Sequence, residues 1–157
     1  MLQDIAHIIE SVKLSPGVTL VTMYNMDAAN REKILRKLSE NDINIDMICQ
    51  SPCFGGDITL SFSLPDGDLP KTLETAAAFK AEHEKTELSI CSNNLTIAFF
   101  GAQIINTPGI AAGIFGEFLN WGINIVLITT SDSSVSCLIS KPDEVKAMKM
   151  LQKFNFI

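Results

Sequence analysis

The chain repeats itself. The stretch Ile34-Leu35-Arg36-Lys37-Leu38-Ser39-Glu40-Asn41-Asp42-Ile43-Asn44-Ile45 returns eighty positions later as Ile114-Phe115-Gly116-Glu117-Phe118-Leu119-Asn120-Trp121-Gly122-Ile123-Asn124-Ile125, and Ser51 meets Ser131 at the same offset. Upstream, Thr19-Leu20-Val21 resembles Thr96-Ile97-Ala98 seventy-seven positions on, so the second copy holds three extra residues in the loop from Gly101 to Gly109. Downstream, Asp68-Leu69-Pro70-Lys71 resembles Asp143-Glu144-Val145-Lys146. Two copies of one fold explain these matches, and 157 residues leave room for two small domains.

Each copy reads as strand, helix, strand, strand, helix. In the first, Val18 to Tyr24 is apolar and β-branched, and Asp27 is placed to cap a helix over Ala28 to Glu40 with Ile34, Leu35 and Leu38 on its inner face. Ile43, Ile45, Met47 and Cys49 alternate with their neighbours as in a half-polar strand, Pro52, Gly55 and Gly56 mark a turn, and Ile58, Leu60, Phe62 and Leu64 predict a second alternating strand. A helix from Lys71 to about Glu84 and a closing strand over Glu87 to Ser92 follow. The second copy predicts strands at Leu95 to Phe100, Ile123 to Thr130 and Val135 to Ser140. Its first helix runs from Gly109 to Trp121, with Gly122 at its break, and its last starts near Pro142-Asp143 and presents Val145, Met148 and Leu151. Only Phe154 to Ile157 remains to close that sheet. The unassigned apolar segment Asp4 to Ile9 is therefore expected to cross over and supply the missing strand, because an uncovered edge is a liability. The expected class is α+β, two ferredoxin-like βαββαβ units in tandem: residues 16–92, and residues 93–157 completed by 1–15.

Apolar residues make up 46% of the chain, enough to bury a core. Twelve basic against eighteen acidic residues, a formal charge of -6, argue against a nucleic-acid partner, which would need concentrated positive charge. No apolar run reaches the ~18 residues of a membrane span, and Met1 to His7 has no signal-peptide pattern, so a cytoplasmic protein with no membrane partner is expected. Cys49, Cys91 and Cys137 lie in apolar or alternating runs and read as small buried hydrophobes. Cys49 and Cys53 have no second pair or histidine nearby, so no metal or other cofactor is expected.

In the second copy, Gly101, Asn106-Thr107-Pro108-Gly109-Ile110-Ala111, Phe115, Gly122-Ile123-Asn124-Ile125 and Ile128-Thr129-Thr130-Ser131 resemble the second ACT domain of aspartokinases. In the first, Val18-Thr19-Leu20-Val21, Asn44-Ile45-Asp46-Met47-Ile48-Cys49-Gln50 and Asp57-Ile58-Thr59-Leu60-Ser61-Phe62 resemble the first, and Ile5-Ala6-His7 resembles the strand leading into the tandem. The resemblance implies a regulatory region, or a separate regulatory subunit, that binds lysine or threonine for feedback control of an aspartokinase catalytic chain. It also implies a homodimer formed through ACT domains. No phosphate-cradling G-x-x-x-x-G-K-[ST] loop is present, so no kinase activity is expected of this chain. Two stretches depart from the family pattern: Asp27-Ala28-Ala29-Asn30-Arg31 replaces an Asp-x-Pro-Gly turn, and Asp132-Ser133-Ser134 replaces a Glu-Ile-Arg-like stretch.

A free amino acid needs donors for its carboxylate and acceptors for its ammonium, and a helix amino end supplies the donors. The second-copy candidates are therefore Asn106, Thr107, Pro108, Gly109 and Ile110, with Pro108 in the first helical turn, together with Asn124, Ile125, Thr130 and Ser131. The matching first-copy set is Met26, Asp27, Ala28, Ala29, Asn44, Ile45, Asp46, Gln50 and Ser51. Asp46 stands where the second copy has Val126, so only the first copy offers a carboxylate to lysine's second ammonium. The bland reading of both sets is a pair of capped loops, in which Asp27 is a helix cap and Asn124 fills a turn. His83 reads as part of a solvated helix end. Phe62, Phe99 and Phe100 read as core and not as an RNA-stacking platform. Two other functions stay open: an ACT assembly module that binds nothing, and a small ferredoxin-like phosphatase, which would need a catalytic Arg and Asn on a phosphate loop, whereas Arg31 and Arg36 fall in a charged helix.

Overall fold

The computed structural model describes residues 6–52 and 55–157. Their elements are β1 (Ser11–Met26), α1 (Ala28–Glu40), β2 (Ile48–Pro52), β3 (Ile58–Pro65), α2 (Leu69–Glu82), β4 (Glu87–Phe100), α3 (Ile110–Asn120), β5 (Ile125–Thr130), β6 (Ser134–Ser140) and α4 (Glu144–Lys153). Short 3-10 turns cover Ala6–Ile8, Asp66–Asp68 and Lys141–Asp143. The repeat is visible in the elements: α1 and α3 end at Glu40 and Asn120, eighty residues apart, and α2 and α4 each follow a 3-10 turn ending in aspartate.

Two compact units result. One is Gly17–Asn93; the other joins the chain up to Pro16 with Asn94–Ile157. In the first, the strands lie in the order β2-β3-β1-β4, the ferredoxin-like arrangement of a βαββαβ chain. β3 runs antiparallel to β1, with Val21 opposite Phe62, and to β2, with Gln50 opposite Leu60. In the second unit the order β5-β6-β4-β1 repeats the arrangement, and its fourth strand is the first part of β1. The ferredoxin-like α+β class and the crossover of the N-terminal chain thus hold. The crossing strand differs from expectation in position: Ala6–Ile8 is a 3-10 turn and the strand begins at Ser11, where Val12 and Leu14 face the core between exposed Ser11 and Lys13. Asp4 and Ile5 lie outside the described residues.

Burial explains the strand boundaries. Glu87 to Ser92 and Leu95 to Phe100, expected as two strands, are one strand β4, with Asn93 at φ 59° between its halves. Gly17, at φ 70°, marks the matching point in β1, a conformation glycine adopts without a Cβ penalty. Asp66 serves both points, accepting from Thr19 Oγ1 at 2.6 Å and from Asn93 N–H at 3.2 Å. The expected strand from Ile43 to Cys49 is corrected to Ile48–Pro52. Ile43 and Met47 are buried, and before Ile48 the regular pairing gives way to an irregular one: Ser63 N–H donates to Met47 O and Asp46 N–H to Ser63 O, each at 2.9 Å, while the Ser63 hydroxyl takes the Met47 N–H at 3.0 Å.

The core of the Gly17–Asn93 unit gathers Val21, Met23, Met26, Ile34, Leu38, Leu60, Phe62, Leu64 and Phe79. That of the other unit gathers Ile97, Phe99, Ile114, Phe118, Met150 and Leu151, with Ile9 from the N-terminal segment. Phe62 and Phe99 are fully buried, so neither can stack on a base. The inner face of α4 is Ala147, Met150 and Leu151; Val145, expected there, is 64% exposed. Cys137 is buried, and burial pushes its thiol up to about 12, but Cys49 and Cys91 are exposed, contrary to expectation. Cys53 lies outside the described residues. Among the described residues no group of His, Cys, Asp and Glu is arranged to hold a metal ion, and no helix is long and apolar enough to cross a membrane.

Candidate functional site

The two helix amino ends that the repeat makes equivalent are built differently. Asp27 caps α1: its carboxylate accepts from Asn30 N–H at 2.7 Å, so a first-turn donor that a ligand carboxylate would use is engaged and a negative charge already stands at that helix end. Gly109 caps α3 with φ 91° and has no side chain to offer, and no side chain among the described residues bonds to the first-turn amides. The helix begins at Ile110; Pro108, expected in its first turn, lies outside it.

The open end of α3 lines a cleft of about 250 Å³. Ile104, Ile105, Ile110, Ala111 and Val135 give it apolar walls, Gly109 lets the backbone come to the surface, and Thr107, Thr130 and Ser131 supply hydroxyls. No charged side chain lines it. The loop before α3 is held by successive turns: Ile104 N–H donates to Gly101 O at 3.1 Å, Asn106 N–H to Gln103 O at 3.2 Å, and Thr107 Oγ1 to Gln103 O at 2.9 Å. Ser131 Oγ lies 2.8 Å from Ser134 Oγ across the β5–β6 turn.

The structure thus brings Thr107, Gly109, Ile110, Thr130 and Ser131 to one place, with exposed Asn106 and Pro108 on the same loop. It does not bring Asn124 and Ile125 there. They follow the carboxyl end of α3, which an 11-residue helix sets ~16 Å from its amino end. The Asn124 N–H donates to Asp143 Oδ2 at 3.1 Å, and Lys146 Nζ donates to Asp143 Oδ1 at 2.7 Å. Lys146 first, then the Asn124 amide, hold the Asp143 carboxyl below the usual carboxylate range. A lowered folded-state pKa contributes stability that is present above the unfolded value of about 3.9 and is lost as pH falls through the folded value. Replacing Asp143 by Asn should therefore cost about 0.5–1 kcal/mol near neutrality, since half-exposed Lys146 is screened by solvent, and the difference from wild type should shrink below about pH 4. Denaturant titrations at several pH values measure it.

The first-copy candidates are scattered in the same way. Met26 is fully buried core. Ala28 and Ala29 are exposed on the first turn of α1, and Asn44, Asp46, Gln50 and Ser51 are exposed while Ile45 is partly buried. Arg31 Nη1 donates to Gln50 Oε1 at 2.6 Å, which ties the start of α1 to β2, and the Asp46 N–H donates to Ser63 O at 2.9 Å. A separate cleft of about 420 Å³ meets Asp27 and is lined by Asn25, Asn30, Asp57, Glu82 and His83, among others. His83 stands at the carboxyl end of α2 between exposed neighbours, as expected of a solvated helix end, and its half-buried ring stacks on Phe79 at 4.2 Å with Nδ1 2.9 Å from Phe79 O.

Comparison with known proteins fits this architecture. Residues 97–154 match the ACT domain model. Aspartokinase 2 of Bacillus subtilis is 27% identical over 147 residues, which is 92% of this chain and 36% of that protein. The solved aspartokinase alpha and beta subunits superpose with a TM-score of 0.78 at 25% identity, covering 94% of this chain and 99% of that one. The chain thus resembles aspartokinases in sequence and their regulatory subunits in fold. It spans about a third of the length of the curated relatives it matches, and the matched part is the non-catalytic one. The regulatory subunit of aspartate kinase from Thermus flavus shares the fold of this chain, with a TM-score of 0.83 at 20% identity over 94% of this chain and 98% of that one. Sequence reasoning found the loop and all three hydroxyl positions of the cleft but missed most of its apolar wall, Ile104, Ile105, Ala111 and Val135. The three extra loop residues that carry Ile104 and Ile105 were the available signal.

Proposed function

We propose that this chain senses a free amino acid and passes its presence to an aspartokinase catalytic chain, as feedback control in the cytoplasm. The observation that carries the reading is the uncapped amino end of α3, open to a cleft with apolar walls and three hydroxyl-bearing residues. The first-turn amides and the helix dipole suit an α-carboxylate, the hydroxyls and backbone oxygens suit an ammonium group, and about 250 Å³ suits a ligand of amino-acid size. With no carboxylate in its lining, this cleft favours threonine over lysine, whose second charge would find no partner. Lysine belongs to the first-copy set, where Asp46 is an exposed carboxylate. The chain acts as a homodimer; the fully exposed edge strand β2 and Leu119, 78% exposed on α3, are surfaces suited to a second copy.

Isothermal titration with threonine, lysine and methionine tests the reading. Threonine should bind, and Thr130→Val with Ser131→Ala should weaken it about tenfold or more, the cost of one lost hydrogen bond to a charged group. Asp46→Asn should weaken lysine and leave threonine unchanged. Absence of heat and of chemical-shift change with all three would leave the pure assembly module as the better account.

A further inference from the structure

The loop that walls the cleft is held from a distant part of the chain. Gly101 opens the loop, and its N–H donates to Ser133 O at 2.9 Å. The next amide, Ala102 N–H, donates at 3.0 Å to the carboxylate of Glu10, ninety-two residues earlier. The Glu10 N–H in turn donates to Phe100 O at 2.8 Å, so Glu10 bonds the chain on both sides of Gly101. Two residues before Glu10, the Ile8 carbonyl lies so close to Gly101 that a Cβ there would meet its oxygen at 2.1 Å. Ile9 is buried in the core that also holds Ile104 and Ile110, two walls of the cleft.

The chemistry of these contacts differs from that of the turns further along. The turns at Ile104, Asn106 and Thr107 are closed by neutral bonds within the loop itself, at 2.9 to 3.5 Å, whereas Ala102 is held by a carboxylate from outside it. A hydrogen bond to a charged acceptor is roughly twice as strong as a neutral one. In the first copy β1 and α1 are separated by Asp27 alone, so that copy has no comparable loop to hold.

We propose that Glu10 is a positioning residue for the ligand cleft, and that through it the segment Ala6 to Glu10 and the loop Gly101 to Gly109 move as one. This rests on the reading of the cleft as an amino-acid site. Reciprocity follows: if the segment orders the loop for a ligand, a ligand orders the segment by the same free energy. The segment leading into β1 is then the route by which occupancy of the cleft is felt outside the loop.

Hydrogen exchange and calorimetry on wild type, Glu10→Ala and Glu10→Gln decide it. Without ligand, Glu10→Ala should speed exchange of the Ala102 amide about tenfold and extend the effect along the loop, while Glu10→Gln, which keeps an acceptor oxygen, should recover most of the protection. With threonine added, wild type should gain protection at Glu10 as well as at Ala102, and Glu10→Ala should bind threonine about tenfold more weakly, with Glu10→Gln in between. Unchanged loop exchange in unliganded Glu10→Ala overturns the positioning role whatever binds. Lower thermal stability with unchanged threonine affinity also overturns it, leaving Glu10 a structural anchor. If wild type binds none of the amino acids, the reading of the cleft fails, and with it the reporting route, while the unliganded exchange experiment still decides whether Glu10 holds the loop.

Discussion

Replacing Gly101 by Ala should destabilise the protein by about 3 kcal/mol and remove threonine binding at the α3 cleft. The estimate takes the upper end of the cost of overpacking, because the obstruction is backbone and cannot rotate away. An ideal Cβ at 101 would lie 2.1 Å from the Ile8 carbonyl oxygen and 3.2 Å from its carbon. Gly101 is required for space and not for a left-handed backbone, as its φ is outside that region. Relief would have to come from moving Ile8 or the loop, and either movement breaks the Glu10 contacts with Phe100 and Ala102. Gly67→Ala is the matched control, since a Cβ there meets nothing within 4 Å and φ is ordinary; it should be neutral or slightly stabilising. Urea midpoints and a threonine titration of both variants provide the measurement. A Gly101→Ala protein with wild-type stability and affinity would show that the close approach has no functional weight.

The second large effect lies in the core beneath the cleft. Phe99→Ala should cost about 3–5 kcal/mol, the usual range for deleting a buried aromatic ring. Phe99 is fully buried and sits edge-on to Phe118 on α3 and to Phe156 in the C-terminal segment, each with ring centroids 6.1 Å apart. Its loss removes apolar burial and leaves a cavity bounded by a helix on one side and the chain's last residues on the other. Val145→Ala, 64% exposed on α4, should stay within about 0.5 kcal/mol. A double-mutant cycle between Phe99 and Phe156 should show a coupling of about 0.5–1.5 kcal/mol, as aromatic pairs do. Independent effects would mean that Phe156 packs there without securing the C-terminal segment.

Much of the architecture was legible before any coordinates because its signals are local. The alternation over Ile58 to Leu64 became β3, and Asp27 opened α1 at the residue its capping chemistry specifies. The repeat predicted two ferredoxin-like units, and the shortage of chain after α4 predicted that the N-terminal segment would complete the second. Local signals misled where a distant group intervened. Ile43 to Met47 alternates like a strand, yet at Ser63 the pairing turns irregular, with the Asp46 amide on the Ser63 carbonyl and the Met47 amide on its hydroxyl. Val145 has the spacing of a core position, but α4 turns Ala147 inward instead.

The candidate site divides along the same line. Sequence alone determined that a glycine would precede α3, that an aspartate would precede α1, and that hydroxyl residues would end β5, since each is a matter of residue type and spacing along one segment. Only the tertiary structure decided that one helix end is open and the other closed, because that depends on whether a carboxylate reaches the first-turn amides. It also decided that Asn124 points its amide to Asp143 at the far end of α3, away from the cleft. The contact between Glu10 and Ala102 is the extreme case. Ninety-two residues separate the two, and neither carries a local signature, because a carboxylate finds a backbone amide through the packing of β1 beside β4 and not through any pattern written along the chain.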